Sequence, residues 1–199
     1  MTSPDIRDLD RRAVQLSVEV VGQVGPDDLS RPTPCWAWTL GDLLAHMTAQ
    51  HHGFAAAAEG RGEDLAAWAV RPSGPDAVAR YRAAAEEVMA AFARLSTLDE
   101  RFALPEVSTE FTFSARRAIG FHFIDYVVHA WDVARALGRP YGLPDDFAPT
   151  ALTIAAAVPD GENRLRPNAS FAPGRPSPDD QEPLDRILAL LGRSPTWPD

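Results

Sequence analysis

The chain has 199 residues, 45% of them hydrophobic and 24% charged, which is ordinary globular composition with enough length for one helical domain spanning 1–199. A net charge of −9, from 28 acidic against 19 basic residues, argues against nucleic acid as a partner, because phosphate binding rests on clustered positive charge. Cys35 is the sole cysteine, which excludes an intramolecular disulfide and a cysteine-type zinc cluster. With no apolar signal core and no run of about 18 apolar residues, the sequence predicts a cytoplasmic protein without a membrane span.

Helical periodicity dominates the chain. Ile6, Leu9, Ala13, Leu16 and Val20 recur at spacings of three and four, predicting an amphipathic helix over residues 4–23 that Gly25 and Pro26 end. Pro32 and Pro34 force residues 29–38 into an extended loop. Thr39 with Asp42 three residues on reads as a capping-box start of a second helix, whose core face is Leu40, Leu43, Leu44, Met47, Phe54 and Ala58. A looser stretch with Pro72 and Pro75 precedes a third helix carrying Val78, Tyr81, Ala85, Val88, Phe92 and Leu95 on one face. Phe102, Leu104, Phe111 and Phe113 alternate with polar neighbours, as in a short hairpin or extended crossover. The fourth helix, residues 114–137, is apolar nearly all round and is stopped at Gly138 and Pro140, so it should be the inner helix of a bundle. A fifth helix is expected over 146–158, a loop over 159–183, and a short closing helix carrying Leu184, Ile187, Leu188 and Leu191.

The fourth helix carries one polar stripe. In FHFIDYVVHAWD at 121–132, His122, Asp125, His129 and Asp132 are spaced by 3, 4 and 3 residues, which puts all four on one face. Burying such groups requires a compensating partner, and a divalent metal is the leading candidate. Asp125 and His129 can reach one ion from one helix, and His46 on a facing helix supplies a third ligand, leaving the open position of a catalytic site. Asp125 could instead pair with an arginine such as Arg116 or Arg117. Asp132 reads as a hydrogen-bond acceptor behind a metal-bound imidazole, or as a support for the Trp36–Trp38 loop. His122 is either a pocket-lining or solvent-facing histidine, or the acid/base group of the site. Gln50 sits one turn after His46 and lines the same cavity, while His51 and His52 point to other, solvated faces. Cys35 reads as a small buried apolar residue, and Trp36, Trp38, Trp68 and Trp131 as core or pocket wall.

The segments TPCWAWTLGDLLAH at 33–46 and DYVVHAWDVARALG at 125–138 resemble the DinB-like metal-binding superfamily. Within it they are similar to the N-terminal domain of mycothiol-dependent maleylpyruvate isomerases. LALLGRSP at 188–195 resembles the end of a single-domain actinobacterial branch. The resemblance implies an all-α, up-down-down-up four-helix bundle with a long crossover and short extra helices. It also implies a metal held by His46, Asp125 and His129. Many relatives have His or Glu where this chain has Asp125, and a carboxylate makes the ion a milder Lewis acid.

The implied cofactors are a divalent ion, zinc or nickel, and a thiol cosubstrate such as mycothiol. The implied activity is thiol S-transfer to small electrophiles by a monomer or homodimer. The isomerases carry an additional C-terminal domain that helps bind substrate, which turns the expectation away from maleylpyruvate isomerisation itself. Two other readings use the same residues: a non-catalytic metal- or ligand-binding module, and a metal-dependent hydrolase with His122 as its general base.

Overall fold

A computed structural model describes residues 4–35, 38–166, 170–178 and 180–199. Its six helices are α1 (Ile6–Val21), α2 (Leu40–Ala58), α3 (Ala77–Ala93), α4 (Ala115–Ala136), α5 (Ala148–Ala157) and α6 (Pro183–Leu190). The start signals act as the sequence implies. Asp5 accepts from the Arg7 amide at the head of α1, and Thr39 and Asp42 form a reciprocal capping box on α2. The alternating phenylalanines resolve into one small antiparallel pair, β1 (Arg101–Phe102) with β2 (Phe113–Ser114), in register Arg101↔Ser114 and Phe102↔Phe113. Ser114 then caps α4 by accepting from the Arg117 amide.

Side-chain pairs fix the helix directions. Arg7 at the head of α1 reaches the Leu95 carbonyl past the end of α3, while Ser17, later in α1, bonds Tyr81, early in α3, so these two helices are antiparallel. His52–Glu87 and Glu59–Arg94 advance together along α2 and α3, which are parallel. His46 faces His129 and His51 faces His122, so α2 and α4 are antiparallel. The topology is therefore up-down-down-up, with the long α2–α3 connection that two parallel neighbours require.

Buried side chains from Ile6 to Leu191 form one cluster. Seventeen of the 22 residues of α4 are buried, as expected of an inner helix. α2 departs from its expected one-sided face. Fifteen of its 19 residues are buried, because it meets α3, α4 and a one-turn 3-10 helix at Leu65–Trp68. Trp68 lies so close over Gly53 that a Cβ there would sit 2.2 Å from its ring, so glycine is required for helix and indole to meet.

The loop expected over 159–183 contains a further 3-10 turn at Glu162–Leu165. The buried Arg164 guanidinium donates to the carbonyls of Val158, Pro159, Ala172 and Leu190. That one side chain ties the loop to the end of α6. Among the described residues no helix is long and apolar enough to cross a membrane.

Candidate metal centre

The N-terminal half of α2, the C-terminal half of α4, the loop before α2 and the segment after α6 meet at one end of the bundle. Ligand-capable atoms of His46, Asp125 and His129 lie there within 4.8 Å of one another. Antiparallel packing of α2 on α4 brings His46 and His129 edge to face, with ring centroids 5.4 Å apart. The i, i+4 spacing sets Asp125 Oδ1 3.3 Å from His129 Nε2. Both histidines are largely enclosed, whereas a quarter of the Asp125 side chain reaches solvent. The cluster is thus open on its carboxylate side.

The groups tune one another. Burial, followed by the positive charge of His129, pulls His46 down to about 4, so its imidazole is neutral at pH 7. Burial opposes the charge on His129, but the Asp125 anion and the hydrogen bonds to Asp125 and Asp132 outweigh it and hold the group well above its ordinary value. Burial likewise opposes ionisation of Asp125, and the charges of His129, His46 and Arg193 keep its carboxyl far below the usual range. The set therefore presents one neutral imidazole, one carboxylate and one imidazole holding a displaceable proton.

The neutral His46 imidazole lies edge to face with His129 and beside Trp38, an arrangement that suits a ligand role. Two imidazoles and one carboxylate, with the carboxylate side open, form a donor set suited to zinc and to other first-row divalent ions. The residues present therefore fit the metal that the resemblance implies.

The structure separates the four members of the stripe. Asp132 is fully buried, with Oδ2 2.9 Å from His129 Nδ1. That position faces away from Asp125 and suits an acceptor for the imidazole's second N–H. Its hydrogen bonds in the structure go to His129, Arg193 and Cys35. Trp36 lies outside the described residues, and the tie of Asp132 to the loop before α2 runs through Cys35. Asp125 pairs with His129 rather than with Arg116 or Arg117; the Arg117 guanidinium lies over Phe113 and Phe121 instead.

His122 is neither solvent-facing nor free. It has no exposure, its Nδ1 meets Asp10 Oδ1 at 2.7 Å, and its Nε2 meets His51 Nδ1 at 3.2 Å. With both nitrogens engaged inside the core, it is not available as an acid/base group at the metal cluster. His51, expected to be solvated, is fully buried and stacks on Tyr126, because α2 is enclosed on more faces than its sequence pattern implies. His52 is exposed, as expected, and pairs with Glu87. Gln50 is buried and donates to Glu106 at 2.6 Å, so its polar end is turned to the loop after β1.

Two residues at the cluster escaped the sequence reading. Cys35, expected to be apolar filling, lies with Sγ 3.2 Å from Asp132 Oδ2, 3.0 Å from Arg193 Nη2 and 3.8 Å from His129 Nδ1. It is held there by the Thr33 hydroxyl, which donates to the carbonyls of Cys35 and Trp38. Arg193, buried, donates to Asp132 Oδ2 at 3.1 Å. Neither signal was local, since Cys35 is 97 residues from Asp132 and Arg193 is 61. Trp38 closes one wall, 4.8 Å from the His46 ring and 37% exposed.

Comparison with known proteins adds three findings. The family model for the mycothiol maleylpyruvate isomerase N-terminal domain matches residues 11–134, which takes in His46, Asp125, His129 and Asp132. An uncharacterised protein of Mycobacterium tuberculosis, present in two strains, is 31% identical over 191 residues, covering 92% of this chain and 95% of its own. The crystal structure of the mycothiol-dependent maleylpyruvate isomerase aligns with a TM-score of 0.65 at 15% identity, over 98% of this chain and 90% of that one. A histidine-to-alanine variant of that enzyme aligns with a TM-score of 0.59 at 14% identity, over 78% and 70% of the two chains.

At such identities the structural likeness is one of fold.

Proposed function

We propose, on the premise that this chain belongs to the family of the mycothiol maleylpyruvate isomerase N-terminal domain, that it is a metal-dependent enzyme of small-molecule thiol chemistry. A low-molecular-weight thiol of the mycothiol class would attack a small electrophile, either conjugating to it or isomerising a double bond by addition and elimination. The observation that carries this reading is the convergence of His46, Asp125 and His129 within 4.8 Å at the open edge of an otherwise packed bundle.

The ion, zinc or nickel, would be held by the His46 imidazole, the Asp125 carboxylate and His129 Nε2. When bound, it stabilises a thiolate over a thiol and so supplies the nucleophile at neutral pH. Asp132 keeps the second nitrogen of His129 engaged, which fixes the ring's orientation and leaves Nε2 for the metal. His46, being neutral, needs no proton removed before it can act as a ligand. Trp38 offers an apolar face beside the ligands, and the exposed edge of Asp125 marks the side from which thiol and electrophile enter.

Hydrolysis by a metal-activated water is the weaker reading, since the histidine that would have served as its base is sealed against Asp10 and His51. A cytoplasmic location and a monomer or homodimer remain parts of the proposal.

The test is elemental analysis of untagged protein, followed by thiol consumption with monobromobimane as the electrophile. The expected result is about one equivalent of metal and metal-dependent conjugation, both lost in His46→Ala and His129→Ala. An absence of stoichiometric metal, together with no micromolar binding of zinc, nickel or cobalt, would overturn the proposal. Metal binding without any thiol chemistry would favour the non-catalytic module.

A further inference from the structure

We propose that Arg193 is a positioning residue of the metal centre, delivered by the C-terminal cap of α6 to hold the Asp132 carboxylate that orients His129. The inference rests on the metal-site reading above and extends it to a segment that lies beyond residues 11–134 of the family match.

Three donors converge on one oxygen. Asp132 Oδ2 accepts from His129 Nδ1 at 2.9 Å, from Arg193 Nη2 at 3.1 Å and from Cys35 Sγ at 3.2 Å. Oδ1 of the same carboxylate is buried without a partner among the described residues, so the contacts that orient Asp132 there are the ones made at Oδ2. A buried carboxylate needs a compensating charge nearby. His129 Nδ1 and the Arg193 guanidinium meet Asp132 Oδ2 from two directions, and Arg193 is the buried cation fixed there by the backbone beyond α6. Removing the guanidinium should therefore loosen the carboxylate that orients His129.

The backbone places Arg193 by a defined device. Arg193 N bonds Leu188 O at 2.8 Å and Gly192 N bonds Ala189 O at 3.0 Å, while Gly192 has φ of +80°. This is the Schellman pattern, in which a left-handed residue reverses the chain and turns the next one back over the helix end. Here it directs Arg193 across the bundle to α4 instead of out to solvent.

The experiment measures zinc affinity by chelator competition, and the cobalt(II) visible spectrum, in the full chain and four variants. Asp132→Asn is expected to bind zinc about 10- to 100-fold more weakly, the usual consequence of removing a partner of a metal-bound histidine, and Arg193→Met, acting one contact further out, to bind it more weakly than the parent by a smaller factor that still exceeds about twofold. Both should alter the cobalt spectrum while far-UV circular dichroism stays unchanged. The double variant, which removes both members of the ion pair, should be no weaker than Asp132→Asn alone, because Arg193 acts through Asp132.

Arg193→Met affinity within about twofold of the parent, an unchanged cobalt spectrum, or multiplying losses in the double variant would each overturn the inference. His129→Ala separates the two claims. If it abolishes binding while Arg193→Met does not weaken it, only the role of Arg193 falls. If the parent protein takes up no metal, the site reading falls and this inference falls with it.

Discussion

His129 stands between two carboxylates, and its proton decides how the site responds to pH. Its folded value is raised well above the ordinary 6.5, so the metal-free protein keeps the ring charged at pH 7. The stabilisation this gives the metal-free fold is fully present below pH 6.5 and is lost as pH rises through the raised value. Metal at Nε2 must displace that proton, so affinity moves in the opposite direction. Zinc binding should tighten by about tenfold per pH unit between pH 5 and the raised value, then level off. Competition titrations at pH 6, 7 and 8 check this, and a flat profile would mean that His129 binds nothing.

The stripe itself was legible in the sequence, because a helix's face is set by spacing alone. The division of labour within it was not. Asp132 and His122 are both polar residues on the same face, yet one meets His129 and Arg193 and the other meets Asp10 and His51. Cys35 shows the same limit, since its polar neighbours come from 94 to 158 residues away.

Helix ends carry much of the placement at the next scale. The three glycines with positive φ are Gly60, Gly138 and Gly192, and each is followed by an arginine whose amide closes the turn, onto Ala56 O, Ala134 O and Leu188 O at 2.8 Å. The stop signals after α2, α4 and α6 are thus one motif used three times. They differ in surroundings. A Cβ at Gly138 meets nothing within 4 Å, whereas one at Gly192 would lie 2.5 Å from the Ala172 carbonyl oxygen. Gly138→Ala should therefore cost about 1 kcal/mol of backbone strain. Gly192→Ala should cost about 2–3 kcal/mol and also weaken zinc binding, because it displaces Arg193. Urea unfolding and zinc titration of the two variants provide the comparison, and equal effects would show that the cap of α6 has no special tie to the site.

The enclosed faces of α2 are the element that sequence periodicity underestimated. Its alanines and glycines give little amphipathic contrast, so partners on three sides could not be inferred from the pattern.

At the scale of the molecule, the proposed ion would join groups from two helices, while Asp132, Cys35 and Arg193 bring α4, the loop before α2 and the segment after α6 together behind it. Binding to the folded state alone should then stabilise the whole bundle. At a zinc concentration a hundred times Kd the gain is about 2.7 kcal/mol, or roughly 5–10 °C in Tm for a chain of this size. Differential scanning calorimetry should show that shift in the parent protein and none in His129→Ala. A shift of equal size in His129→Ala would place the stabilising ion elsewhere.

Periodicity, caps and breakers in the sequence were sufficient for six helices and the polar stripe, since those signals act within one or two turns, whereas the small strand pair was left between a hairpin and an extended crossover. The helical class and bundle order also followed from the resemblance carried by 33–46 and 125–138, and the helix directions agree with it. The tertiary structure alone decided which buried polar groups meet. It enclosed His122 and His51 in a core pair with Asp10, turned Gln50 to Glu106, and brought Cys35 and Arg193 to Asp132. The physical reason is range. Backbone preference is set by near neighbours, whereas a buried charge takes its partner from whatever part of the chain packing brings within about 3 Å.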